Sequence, residues 1–63
     1  MQVIQVCYEL NSDNKKREYA GILEACSIYN ISAGIIVTFA QEDFVKMKNV
    51  EIRVVPAWKF LLE

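Results

Sequence analysis

The sequence has no histidine, one proline, two glycines and two cysteines. Without histidine, the chain cannot build a Ser-His or Cys-His nucleophile pair or use an imidazole base. Neither Gly21 nor Gly34 precedes a Lys-Ser or Lys-Thr pair, so the sequence lacks a P-loop. Cys7 and Cys26 lie within apolar runs, and we expect both to be reduced and buried, as in a cytosolic protein. With no histidine, no close cysteine pair and no metal-like spacing, we also expect no structural metal.

Long apolar stretches and an excess of one charge are missing as well. The longest apolar runs, such as residues 35–37, are far too short to span a bilayer, and no segment resembles a signal peptide. We therefore expect a cytoplasmic protein without a membrane partner. Seven basic and eight acidic residues give a net charge of −1, which provides no general attraction to nucleic acid.

What is present is an ordinary globular composition, with 54% apolar and 24% charged residues in a chain of 63. We interpret residues 1–63 as one small module, and as part of a larger domain. Ordering each residue costs about 1.5 kcal/mol, so a chain this short keeps a margin of a few kcal/mol at best. A partner surface is therefore the expected additional source of stability.

Two strongly apolar segments predict strands. Residues 3–8 are almost continuously apolar, which is typical of a central strand covered on both faces, and residues 34–39 predict a second strand. The segment between them predicts a helix ending near Tyr29, with Asn30 as a left-handed C-cap. Together these elements form a βαβ unit with parallel strands.

The helix has recognisable start signals and one apolar face. Ser12 or Asp13 is the expected N-cap, and Glu18 and Glu24 are expected to face solvent. Gly21 is expected to mark close packing against a strand, since a glycine inside a helix costs about 1 kcal/mol relative to alanine. The expected buried face consists of Tyr19, Ile22, Leu23, Cys26 and Tyr29.

The last third of the chain predicts a short strand, a turn at residues 48–49, a strand over residues 50–55 and a helix beginning at Pro56. The whole chain is thus an α/β protein, a βαβ(β)βα unit with parallel strands around a crossover helix. A helix so short must dock to be stable. The expected packing anchors are Trp58, Leu61 and Leu62.

One set of residues loosely resembles a metal-dependent nuclease site. Asp43 followed by Glu51 and Arg53 gives an acid, a second acid and a base, and two carboxylates can hold Mg²⁺. However, arginine stays protonated and replaces the usual lysine poorly. We prefer the interpretation that these residues form the charged outer face of an edge strand.

The only basic run is Lys15, Lys16 and Arg17. It falls at the start of the predicted helix, where positive charge opposes the helix dipole. The run is either a solvated helix face or a contact for an anionic partner.

The order of segments also resembles a known family. The segment IQVCYEL, a helix containing LEA, the strand GIIVT and the ending IRVVPAWKFLLE are similar to the extreme C-terminus of a family of bacterial and archaeal AAA-type ATPases. Those proteins carry an N-terminal P-loop ATPase and a C-terminal domain of uncharacterised function. That domain resembles the restriction-endonuclease fold of the PD-(D/E)XK class, and this chain would be its C-terminal half.

The resemblance implies that a longer parent protein holds the ATPase module, and that ATP and Mg²⁺ bind only there. It also implies a degenerate nuclease motif. Gln5 stands where the acid of the acid-x-Lys half-motif would be and Cys7 where the lysine would be, and the first acid would lie upstream of Met1. Neither side chain can perform those roles, so we expect no enzymatic activity from this chain.

The expected function is that of a non-catalytic C-terminal module used for packing and partner contact. We expect self-association through an exposed strand edge or apolar face, and contact with the ATPase module of the parent protein. The alternative is a degenerate nuclease-like domain that still binds nucleic acid through Lys15, Lys16, Arg17 and Gln5.

Overall fold

The computed structural model describes residues 2–62, so Met1 and Glu63, the latter closing the segment IRVVPAWKFLLE, lie outside the described residues. The elements follow the order β1 (Val3–Val6), α1 (Lys15–Tyr29), β2 (Ala33–Thr38), β3 (Asp43–Met47), β4 (Val50–Pro56) and α2 (Ala57–Leu62). The strands form a four-stranded sheet in the order β1-β2-β4-β3. Both β1 and β4 run parallel to β2, while β3 is antiparallel to β4. The predicted α/β fold with its βαβ unit is confirmed.

Helix α1 covers one face of the sheet. Tyr19, Ile22 and Cys26 are buried as predicted, and Leu23 is half-buried. Tyr29, by contrast, is 69% exposed, and it is the last residue of the helix. The main buried cluster on this face consists of Leu10, Tyr19, Ile22, Cys26, Ile36, Val50, Ile52 and Val54.

Strand β1 lies at the edge of the sheet, so the prediction of a central strand was wrong. Its side chains alternate between half-buried and exposed, with Ile4 52% and Val6 77% exposed. The interior strands are β2 and β4, and helix α2 packs against those two. A run of apolar residues indicates that both faces of a strand are buried. It does not indicate whether the residues that bury them belong to the same chain.

The start of α1 differs from the prediction by one or two residues. Asn14 is the N-cap residue, not Ser12 or Asp13, and its side chain makes no capping hydrogen bond. Instead, the side-chain oxygen of Asn11 accepts hydrogen bonds from the backbone N–H groups of Asp13 and Asn14, at 2.9 and 3.0 Å. The turn before the helix is therefore closed by asparagine.

The end of α1 and the β3–β4 turn follow the prediction. Asn30 adopts the left-handed conformation with φ 55°, and the next N–H, of Ile31, donates to the carbonyl of Cys26 at 2.9 Å. Lys48 and Asn49 have φ 51° and 65°, as in the two-residue turn that best suits a β-hairpin.

Strand β4 alternates as predicted. The main buried cluster includes Val50, Ile52 and Val54 but not Glu51 or Arg53. However, β4 is an interior strand, so the interpretation of a charged edge was wrong. Pro56 ends this strand opposite Thr38 rather than beginning the helix.

Helix α2 docks by residues other than the predicted ones. Ala57 and Phe60, three residues apart, pack against the cluster of Ile35, Val37 and Val55. The predicted anchors point away from this cluster, because their spacing places them on a different side of the helix. These exposed residues are Trp58 at 62%, Leu61 at 79% and Leu62 at 81%.

Candidate functional site

A patch of exposed apolar side chains lies on the face of the sheet that carries α2. Ile4 and Val6 lie on β1, and Tyr8 and Phe39 follow β1 and β2; we name these four residues the open face. Their exposed fractions are 52%, 77%, 73% and 64%. The rings of Tyr8 and Phe39 are stacked, with centroids 5.2 Å apart. Contiguous exposed apolar surface of this kind is typical of an interaction site.

The backbone fixes the position of these side chains. The N–H of Cys7 donates to the carbonyl of Val37 and the N–H of Phe39 donates to that of Tyr8, both at 2.9 Å. The segments that follow β1 and β2 therefore stay hydrogen-bonded to each other beyond the ends of the two strands. A groove of about 240 Å³ runs along them and reaches Ala57, at the start of α2.

Two further features adjoin the open face. Within residues 2–62, β1 has a neighbouring strand on one side alone, which leaves backbone groups available for pairing. Helix α2 presents the exposed side chains of Trp58, Leu61 and Leu62. Its Lys59 forms an ion pair with Glu42.

The degenerate nuclease positions do not form a shared site. Gln5 donates from Nε2 to a carboxylate oxygen of Glu18 and, at 3.4 Å, to the Glu18 carbonyl. Glu18 is consequently half-buried instead of solvent-facing, contrary to the prediction. Cys7 makes separate contacts, with its thiol 3.4 Å from the carbonyl of Glu9.

Both cysteines are free, and only Cys26 is fully buried. Burial raises the pKa of the Cys26 thiol, which keeps it protonated and unreactive. Cys7 is half-buried, since the edge position of β1 leaves one side of it uncovered, so its predicted burial holds only in part.

The basic run lies exposed on the first turn of α1. Arg17 Nη2 is 3.9 Å from a carboxylate oxygen of Glu18, and Lys15 Nζ lies 5.8 Å from the centre of the Tyr19 ring. Because Glu18 stands between the basic run and Gln5, the predicted anionic-partner contact would include a carboxylate at its centre.

The acids of the alternative metal site are far apart. Asp43 pairs with Val54 and Lys46 pairs with Glu51, so the two acids lie three residues apart along the hairpin, or about 10 Å. Among the residues that the structure describes, no group of three or more His, Cys, Asp or Glu could hold a metal ion.

Sequence reasoning missed a cavity at the carboxyl ends of the strands. It has a volume of about 240 Å³, a buried floor of Leu10, Tyr19 and Val54, and an exposed charged rim of Lys15, Glu42 and Asp43. Gln41 forms part of the wall. The one sequence feature that relates to this cavity is the presence of polar residues directly after the predicted strands. That feature is recognisable only once the structure is known.

Tyr19 at the floor of this cavity is 7% exposed. Its hydroxyl is buried and has no hydrogen-bond partner within residues 2–62. Burial, and secondly the negative charge of Asp43, raise the pKa of this phenol. A buried hydroxyl without a partner is uncommon in folded proteins.

The chain is similar to the uncharacterised protein MJ1544 of Methanocaldococcus jannaschii. The two are 40% identical over 68 aligned positions, which cover 97% of this chain and 15% of that protein. The chain thus spans about 15% of the length of the curated relative it matches. No family model and no solved structure matches the chain. Within residues 2–62, no helix has the length and apolarity needed to cross a membrane.

Proposed function

We propose that this chain is a non-catalytic packing and partner-contact module, and that a second copy of the chain covers the open face. The observation that carries the proposal is the group of four large apolar side chains, 52–77% exposed, beside the free edge of β1. Covering such side chains stabilises the folded chain by about 25 cal/mol for each Å² of apolar surface removed from water. A domain of this size needs such additional stabilisation, because it buries a smaller fraction of its own surface than a larger domain does.

A second copy suits this face for two reasons. The four residues of the open face carry no charge, and the chain's net charge of −1 gives little repulsion between copies. A two-fold axis in front of the open face would pack the open faces of the two copies against each other, as in other symmetric dimers.

The wider context of the module is also a proposal. From the resemblance to the C-terminus of AAA-type ATPases, we propose that it belongs to a longer cytoplasmic protein whose N-terminal module binds ATP and Mg²⁺ and contacts this chain. The much greater length of the 40% identical relative supports a longer parent, and the two free cysteines support a reducing compartment. A P-loop encoded in the reading frame upstream of Met1 is the expected result, and its absence would contradict this context.

The test of self-association is light scattering across micromolar to millimolar concentrations of the chain. We expect a dimer that Val6→Lys dissociates. Ile28→Lys is the matched control, because Ile28 is also exposed, at 67%, but lies on α1 away from the open face. Circular dichroism would verify that both variants fold. A wild-type chain that stays monomeric throughout would overturn the proposal, as would equal dissociation by both substitutions.

A residual nucleic-acid-binding role has less support, because Glu18 lies beside the basic run. Titration with duplex and single-stranded DNA at low salt tests it, since phosphate contacts are strongest there. We expect no binding.

A further inference from the structure

The cavity above Tyr19 lies where parallel α/β sheets usually bind ligands, outside the carboxyl ends of the strands. Its walls are fixed by hydrogen bonds. Gln41 accepts from the N–H of Leu10 at 2.6 Å and donates to the Leu10 carbonyl at 2.8 Å. The hydroxyl of Thr38 in turn donates to the Gln41 carbonyl at 2.9 Å and accepts from the Gln41 N–H at 3.0 Å. The cavity is therefore preorganised.

The charges on its rim define what it can bind. Glu42 is neutralised by Lys59. Lys15 has no carboxylate partner within the described part of the chain, and Asp43 uses one oxygen to accept from the Phe44 N–H at 2.8 Å, which leaves the other oxygen available. One positive and one negative group thus remain to be matched.

The floor adds an apolar surface. Tyr19 forms part of this floor, and the ammonium group of Lys15 lies 5.8 Å from the centre of its ring. Leu10 and Val54 are buried beside it and offer contact to an aliphatic group.

We propose that this cavity binds a small zwitterion of the α-amino-acid class. The ligand carboxylate lies against Lys15, its ammonium group lies against Asp43, and its side chain lies on Leu10 and Val54. The volume of about 240 Å³ suits a molecule of this size. The proposal is independent of the open face, which lies on the opposite side of the sheet.

The test is a titration of the isotopically labelled chain with L-alanine, followed by backbone amide shifts in NMR spectra. We expect saturable shifts at Leu10, Asp43 and Phe44. Propionate and ethylamine, which each lack one of the two charges, are the matched ligands. Each is expected to bind at least about tenfold more weakly, since a charged hydrogen bond contributes roughly that factor.

The variants separate binding from folding. Asp43→Asn and Lys15→Ala are expected to weaken L-alanine binding about fivefold or more. Lys16→Ala is the control for Lys15, because it removes a neighbouring exposed lysine that does not line the cavity. Unchanged amide spectra with L-alanine at tens of millimolar would overturn the proposal. Equal binding of propionate, or equal loss of affinity in Lys16→Ala, would overturn it as well.

Discussion

Gly34 on β2 lies directly beneath Ile22 of α1. A Cβ atom added to Gly34 would lie 2.7 Å from Cγ2 of Ile22, which is closer than packed carbon atoms come. Ile22 itself is fully buried. The distance between helix and sheet is therefore set by the absence of a side chain at Gly34, not by Gly21, where we had expected the close approach.

Gly34→Ala is expected to destabilise the chain by about 1–3 kcal/mol, because the added methyl group overpacks a buried contact. Gly21→Ala is the matched control. A Cβ there would meet Gln5 Oε1 at an ordinary 3.4 Å, so the helix should gain up to about 1 kcal/mol. Urea denaturation followed by circular dichroism measures both. Equal stability of Gly34→Ala and wild type would contradict the close packing.

Tyr19→Phe is expected to stabilise the unliganded chain by about 1 kcal/mol. The Tyr19 hydroxyl is buried without a partner within residues 2–62, and removing an unsatisfied polar group removes its desolvation cost. The same urea experiment measures the change. Tyr8→Phe is the control, since Tyr8 is 73% exposed and its hydroxyl carries no such cost. A loss of stability in Tyr19→Phe would show that the hydroxyl has a partner in solution.

The sequence predicted the local elements better than their surroundings. Periodicity and turn residues were sufficient for the existence and the end of α1, for the Asn30 cap and for the hairpin at Lys48 and Asn49, because these depend on neighbours along the chain. The edge position of β1 and the exposure of Trp58 were not predicted. Both depend on which apolar surfaces this chain can cover, and that is a property of the complete tertiary arrangement.

The same reason explains what was missed at the sites. The open face was foreseen only as an unspecified exposed edge or face, without its residues. The cavity above Tyr19 combines residues from three separate segments of the chain. No spacing within one segment could have indicated that combination, because the polar groups meet only after the strands pair.

Stability is expected to fall as the pH rises above 9. The folded chain raises the pKa of Cys26 above its ordinary 9.0 and that of Tyr19 above 10.0. Below pH 9 both groups are protonated in the folded and unfolded chains, and their contribution is complete. Above it, the unfolded chain loses the thiol proton first and then the phenol proton, while the folded chain retains them, so unfolding becomes more favourable.

Urea denaturation at several values between pH 7 and 11 measures this dependence. In Cys26→Ala, we expect the decrease in stability that begins near pH 9 to be absent. In Tyr19→Phe, we expect the decrease that begins near pH 10 to be absent. A wild-type stability that is flat or rising over this range would be inconsistent with the burial of these groups.

Gln41→Ala is expected to cost about 1–3 kcal/mol, because it leaves both the N–H and the carbonyl of the buried Leu10 without their partner. These two bonds join the loop before α1 to the loop before β3, which are 31 residues apart along the chain. Their loss should therefore also speed hydrogen exchange of the Leu10 amide, measured by NMR. The exposed Gln2 provides the control, since Gln2→Ala should change neither quantity. If exchange at Leu10 stayed slow in Gln41→Ala, another group would have to hold the two loops together.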